Sequence, residues 1–235
     1  MKSPTQATRA VCLFSGGLDS TTVLYDALRR GYHVTALTVS YGQRHAREIE
    51  SARRILQPLG VRSHEITIEM PWGGSSLTDS SLAIPQALAD PPADDKIPST
   101  YVPARNTIFL SLAGSLAEAL EAQVILIGAN AVDYSGYPDC RPDFLSKMEQ
   151  VLATGTRAGV NGHPLSIEAP LIKLSKKEIV LLAQSLGVPL EWTWSCYQGG
   201  TRPCGVCDSC GLRKKGFLEA GLQDPGEAYE VSSKR

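Results

Sequence analysis

Ala10–Gly31 reads AVCLFSGGLDSTTVLYDALRRG, and this stretch decides the fold. Ala10–Phe14 is a short apolar run of the kind that fills a strand buried on both faces of a parallel sheet. Further on, Val23, Leu24, Ala27 and Leu28 recur at helical spacing, and Gly31 stands where a helix C-terminal glycine belongs. Between them lies Ser15-Gly16-Gly17-Leu18-Asp19-Ser20. A strand, a tight Gly-Gly turn and a helix N-terminus gather backbone N–H groups and the positive end of a helix dipole around one point. An anion is expected there, with Ser15 and Ser20 adding hydroxyl donors. Asp19 has the wrong charge for a phosphate, which calls for a Mg²⁺ ion bridging carboxylate and phosphate oxygens. The turn contains neither GxxxxGK[ST] nor GxGxxG. The bland alternative, a plain strand-to-helix connector, needs only one glycine.

Outward from this stretch, His33–Tyr41 is β-branched and apolar and reads as a second strand. A helix is expected over Arg44–Leu59, with Ile49, Ala52, Ile55, Leu56 and Leu59 on one face, and a third strand at about Val61–Ile68. This β-α-β-α-β order predicts a parallel sheet with right-handed crossovers, and ligands in such sheets bind beyond the C-terminal strand ends. Ser15–Ser20 and Tyr41-Gly42-Gln43-Arg44-His45 then share one rim. Glu69–Tyr101 carries Pro71, Pro85, Pro91, Pro92 and Pro98 without periodicity, and reads either as a lid or as a passive insertion.

A helix follows, with Asn106 as its expected cap and a stripe of Ile108, Phe109, Leu112, Ala113, Leu116, Ala117 and Leu120. Arg105 at its start opposes the dipole, a local cost that a phosphate or carboxylate ligand would relieve, unless the side chain simply faces solvent. Val124–Gly128 reads as the fourth buried strand. The loop after it, Ala129–Arg141, packs Asp133, Tyr134, Tyr137, Asp139 and Arg141 together, a set that suits a flat polar heterocycle or an ordinary turn-rich loop. Pro142 opens a helix whose expected inward residues are Phe144, Leu145, Met148, Val151 and Leu152. Leu165–Ala169 is a short strand, and Ser175 with Glu178 forms a capping box for a last helix that Gly187 closes. Lys173, Lys176 and Lys177 near its start invite an anion.

Cys196, Cys204, Cys207 and Cys210 are spaced C-x7-C-x2-C-x2-C. That spacing matches a closed tetrahedral S₄ site, so a structural zinc ion is expected to pin the C-terminal segment without taking part in bond-making. An iron–sulfur cluster would want a C-x3-C-P completion, which is absent after Cys210, and disulfides fit a reducing compartment poorly. Cys12, in the first strand, reads as an inert core residue, and Cys140 stays open.

At 235 residues the chain is long enough for one large α/β domain with a small appendage. We divide it into a domain over 1–190 that carries the glycine turn and the substrate rim, and a Cys₄ subdomain over 191–235. The net charge of −1 and pI near 6.4 argue against a basic groove for nucleic acid and for a small-molecule substrate. Residues 1–9 read as a tail with no apolar signal segment, and no run approaches the ~18 residues of a membrane span, so a soluble cytoplasmic protein is expected.

SGGLDS after a buried strand resembles the PP-loop of the N-type ATP pyrophosphatases, which hold pyrophosphate as a leaving group and deliver AMP to a substrate oxygen. More specifically, SGGLDSTT, YGQRH, VPARN, DYSGYPDCR, PLIKLSKKEI and SC-x7-CGVCDSCGLR follow the order seen in the 7-cyano-7-deazaguanine synthases of the queuosine pathway, spanning Phe14–Arg213. The resemblance implies a PP-loop fold (adenine nucleotide alpha hydrolase-like, Rossmann-like). It also implies conversion of 7-carboxy-7-deazaguanine and ammonia to the nitrile by two successive adenylations, through the amide. Phe14, Ser15, Gly16, Gly17, Leu18, Asp19, Ser20, Thr21, Thr22, Val23 and Leu24 would carry ATP, with Asp19 on Mg²⁺. Arg105 and Lys176 would offset charge at the phosphorus, Lys173 and Lys177 having no implied role. Asp133 or Asp139 would read the guanine edge and Tyr134 or Tyr137 would stack on the ring, with Gln43 and Arg44 also assigned to the substrate. Ammonia would come from solvent, and members of the family are commonly homodimers. One departure is Ala104, where the family pattern usually has glycine. The alternative on the same loop is a tRNA-modifying thiolase, with Cys12 or Cys140 as sulfur carrier, which would want a basic surface.

Overall fold

The computed structural model describes residues 7–44, 47–86, 97–130 and 136–226. Its centre is β1 (Arg9–Leu13), which pairs in parallel with β2 (His33–Ser40) on one side and β4 (Val124–Leu126) on the other. Val11 thus sits between Thr35 and Ile125. With β3 (Arg62–Thr67) outside β2 and β5 (Ser166–Glu168) outside β4, the described strands form one parallel sheet of order β3-β2-β1-β4-β5.

The two-residue period of β1 sorts its side chains onto two faces. Ala10, Cys12 and Phe14 join one buried cluster with Val23, Leu24 and Ala27 of α1 (Leu18–Arg29), and Ala52, Ile55 and Leu56 of α2 (Arg47–Leu59). Val11 and Leu13 face the other way, against Leu110, Ala113 and Ala117 of α3 (Arg105–Ala119), and Leu145, Met148 and Leu152 of α4 (Pro142–Gly155). Val151 departs from expectation: at 57% exposure it lies on the solvent face of α4. After the short α5 (Arg157–Val160), α6 (Lys176–Ser185) begins at the expected capping box, Ser175 Oγ accepting from Glu178 N (3.3 Å) while Glu178 Oε2 accepts from Ser175 N (2.8 Å).

Because α1 and α2 cover one face and α3 and α4 the other, the chain reverses direction across the sheet between β1 and β4. That reversal opens a crevice beyond their C-terminal ends, the usual ligand position in such a sheet. The C-terminal segment packs into the same body. Phe217 of α7 (Asp208–Glu219) is buried in the β1–α1 cluster, and Gly216 lies against Lys176, where an added Cβ would come within 2.9 Å of the lysine Cβ. Arg213 is buried and makes two bonds to Asp224 (Nε–Oδ2 2.8 Å, Nη2–Oδ1 2.9 Å) and one to Thr193 Oγ1 (2.8 Å), which fastens the segment down. Among the described residues no helix is long and apolar enough to cross a membrane.

Candidate active site

The turn after β1 is shaped by its neighbours as much as by any ligand. Gly16 has φ +79°, and a Cβ there would meet the backbone of α2, 2.4 Å from Ala52 N. Its carbonyl accepts from Ser51 Oγ (2.9 Å) and Trp194 N (3.1 Å). Glycine is thus required at 16 by α2, whereas the sequence alone pointed to a ligand. Ser15 Oγ accepts from Gly17 N (3.2 Å) and sits 3.2 Å from Ser20 Oγ, so both hydroxyls stand at the mouth of α1. Gly128, just past β4, brings the second strand end against the same helix start: its Cβ would lie 3.1 Å from Ser20 N.

A cavity of about 260 Å³ opens at this point. Phe14, Ser15, Gly17, Leu18, Asp19 and Ser20 line it; Gly16, Thr21, Thr22, Val23 and Leu24 do not. The two threonines turn back onto their own helix, Thr21 Oγ1 to Gly17 O (2.7 Å) and Thr22 Oγ1 to Leu18 O (2.8 Å), while Val23 and Leu24 are core. Arg105 and Lys176 both line the cavity, brought there by α3 and α6. Lys176 Nζ donates to Asp19 Oδ2 at 2.5 Å, and Asn130 Nδ2 donates to the same oxygen at 2.9 Å. Asp19 Oδ1 is buried with no hydrogen-bond partner. An orphaned carboxylate oxygen at a helix N-terminus suits an oxygen-seeking divalent cation.

Arg105 is the first residue of α3. Burial works against its charge, yet the Tyr41 phenol, with Cys140 and Asp139 nearby, holds the guanidinium above its usual pKa. Its Nη1 is 3.4 Å from Tyr41 Oη, and it lies over the rings of Tyr41 and Phe109 at 5.7 and 5.9 Å. Ala104 ahead of it is left-handed, φ 53° and ψ 24°. Asn106 does not cap α3. It lies in the first turn, where its backbone N–H is taken by Asp139 Oδ2 (2.9 Å) and its Nδ2 reaches Asp139 O and Cys140 Sγ (both 3.1 Å). The reason is where the helix begins: Ala104 is its N-cap and Arg105 its first residue, so Asn106 already lies inside it, against the 3₁₀ turn Pro138–Cys140.

Of the residues assigned to substrate, Gln43, Tyr137 and Asp139 line the cavity. Tyr137 stacks on Tyr101 with centroids 6.2 Å apart and shares a bond with Thr100 Oγ1 (2.8 Å). Arg44 is not in the lining; its guanidinium donates to the carbonyls of Asp79 and Leu82. Asp133 and Tyr134 lie outside the described residues, as does His45. The stretch after β3 forms part of the wall: Leu77, Thr100, Tyr101 and Val102 line the cavity, and Ser76 N bonds Ser99 O at 2.8 Å. Glu48, Tyr101, Asn130, Trp194 and Tyr197 are lining or supporting residues that sequence reasoning passed over. Glu48 carried no cue of its own, since an acidic residue in a first helical turn is ordinary.

Cys196, Cys204, Cys207 and Cys210 converge as their spacing predicts, their Sγ atoms within 4.8 Å of one another. Cys196 Sγ accepts backbone bonds from Cys204 N (3.3 Å) and Gln198 N (3.4 Å). Its thiol is pulled well below the usual value, first by the Cys207 and Cys210 thiols donating to it and then by these N–H groups. A largely buried cluster of four cysteines of this kind, once deprotonated, fits a soft or borderline metal ion. Cys12, by contrast, is wholly buried, and burial pushes its thiol up to about 12.

A parallel sheet with its glycine turn, hydroxyls and acidic residue at the switch point defines a PP-loop nucleotide-binding protein. The chain belongs to the family described as queuosine biosynthesis protein QueC, whose model matches residues 9–221. A 7-cyano-7-deazaguanine synthase of Trichodesmium erythraeum (strain IMS101) is 52% identical over 219 residues, covering 92% of this chain and 99% of that protein. One of Anaeromyxobacter dehalogenans (strain 2CP-C) is 52% identical over 227 residues, covering 95% and 97%. Among solved structures, NMN synthetase from Francisella tularensis superposes with a TM-score of 0.50 at 15% identity, covering 96% of this chain and 82% of that one, a likeness of fold.

Proposed function

We propose that this chain is itself a 7-cyano-7-deazaguanine synthase, joining ammonia to 7-carboxy-7-deazaguanine and dehydrating the amide to the nitrile. Each stage consumes ATP and releases AMP and diphosphate. The observation that carries this reading is the cavity at the start of α1, lined by Asp19, Lys176 and Arg105 beside the glycine turn, with Lys176 Nζ bonded to Asp19 Oδ2. Backbone N–H groups and the hydroxyls of Ser15 and Ser20 would hold the leaving pyrophosphate. Lys176 and Arg105 would stabilise charge that grows on the phosphorus oxygens as the substrate carboxylate attacks. Asp19 would hold Mg²⁺, which when bound neutralises phosphate charge. Tyr137 and Tyr101 offer a face for the deazaguanine ring, and Asp139, its Oδ2 committed to α3, has Oδ1 for a ring N–H donor. The four cysteines would hold zinc as a structural ion.

The test is isotopic. Substrate carrying ¹⁸O at both carboxyl oxygens should pass one label to AMP in each stage, because each oxygen bridges to an α-phosphorus before it leaves. Asp19→Asn should lower turnover by roughly 10²-fold or more while leaving the fold intact. Label in orthophosphate with ADP as co-product would show γ-phosphoryl transfer and overturn the reading. AMP release only with tRNA and a sulfur donor would replace it with a thiolase.

A further inference from the structure

Between ammonia and a nitrile the nitrogen loses three protons, and the residues assigned above provide no group to take them. Arg105 is held protonated, and Lys176 is committed to Asp19. Three described carboxylates line the cavity, Asp19, Glu48 and Asp139. Asp19 Oδ2 accepts from Lys176 and Asn130, and Asp139 Oδ2 accepts from Asn106 N. Among the described residues no hydrogen bond or ion pair engages the Glu48 carboxylate. The first turn of α2 sets it at the β2 end of the cavity, beside Tyr41 and near enough to Arg105 for the two to feel one another's charge. Asp19 is held with Lys176 at the start of α1, and Asp139 is bonded to the first turn of α3.

From this placement, and resting on the function proposed above, we infer that Glu48 is the general base that receives the nitrogen-bound protons in both stages. Arg105 is the cation next to it that would draw the substrate carboxyl, so the carbon under attack would lie between the two. In the first stage the ammonia lone pair forms the C–N bond, the C–O bond to AMP breaks with its electrons going to AMP, and a proton passes from nitrogen to Glu48. In the second the amide oxygen attacks the α-phosphorus and pyrophosphate leaves with its bonding pair. Two N–H protons then pass in turn to Glu48 as the C–O bond breaks, AMP departs and C≡N forms; Glu48 returns each proton to solvent. Burial raises the Glu48 carboxyl to about 7 against the partial opposition of Arg105, which poises it for such exchange at neutral pH.

The first adenylation removes no proton from nitrogen, which separates this role from ATP binding. Acid-dependent exchange of labelled pyrophosphate into ATP reads that step, and steady-state nitrile formation reads the whole. In E48Q, nitrile formation should fall by roughly 10²-fold or more while exchange falls by less than tenfold. With the amide as substrate, which avoids the titration of ammonium, wild-type kcat/KM should decline tenfold per pH unit below about 7, and E48Q should lack that limb. Glu48→Asp, keeping the carboxylate, should restore part of the rate and of the limb. Folding is controlled independently: E48Q should melt no lower than wild type at pH 8. The raised carboxyl favours the folded state only while protonated, and that contribution fades as pH rises through about 7. Nitrile formation by E48Q within tenfold of wild type would overturn the assignment. So would parallel loss of exchange and turnover, or a raised KM for the acid at unchanged kcat, which would make Glu48 a reader of the purine. Absence of exchange in the wild-type protein would instead overturn the proposed function.

Discussion

Ala104 holds a left-handed backbone that an L-residue adopts only at a cost, and it does so directly before Arg105. The geometry accounts for the glycine usual at this position in the resembling sequences, since glycine takes φ near +53° without strain. Ala104→Gly should therefore stabilise the protein by about 1 kcal/mol, the strain relieved exceeding the extra freedom of the unfolded chain; urea denaturation reads it, and a loss of stability would remove the strain argument. At this scale the sequence was legible where a residue broke a local rule. Asp19 beside an anion site and Arg105 against a dipole were both visible in that way. Glu48 obeyed the rules: an acidic residue in a first helical turn complements the dipole, and its environment depends on Arg105 and Tyr41, which only the folded chain brings near.

The meeting of elements is decided by two glycines with different tasks. Gly16 lets α2 lie on the loop, and Gly128 lets β4 end against α1. Gly16→Ala combines a positive φ with a contact 2.4 Å from backbone, so α2 must shift; a loss of roughly 3 kcal/mol or more is expected, read as a lowered urea midpoint. Gly128→Ala, with its nearest atom at 3.1 Å, should be milder. Most elements were legible from periodicity because their apolar spacing is long and regular. The cap of α3 was misread because its acceptor, Asp139, comes from a different part of the chain. The wall formed by Leu77 and Thr100 carries no periodic signal at all.

For the molecule as a whole, the cysteine cluster and the cavity are neighbours. Trp194, Ser195, Tyr197 and Ser209 line the cavity from the cysteine-bearing segment, and Gln86 makes an antiparallel bridge to Cys207. If zinc occupies the four thiolates and the cavity takes ATP as proposed, stripping the metal with a chelator should loosen α7 first and weaken ATP binding with it, although none of the four cysteines lines the cavity. Hydrogen exchange that rises over 193–219 before the sheet exchanges would bear this out, and unchanged exchange after metal removal would make the cluster dispensable. The spacing of the cysteines made the cluster legible, but its place against the cavity depended on Arg213 and Asp224, an ion pair invisible to local pattern.

The bond between Lys176 and Asp19 spans 157 positions along the chain. A polypeptide leaving the ribosome presents its glycine turn early, with β1 exposed on the side that β4 will later cover and with Asp19 unpaired. Contacts of such separation form late, after the entropy of closing the intervening loop has been overcome. If the turn holds ATP as proposed, a nascent or truncated chain lacking α6 would carry the loop without its Lys176 partner, and ATP would protect from proteolysis only chains in which α6 has docked, so nucleotide affinity would report that docking.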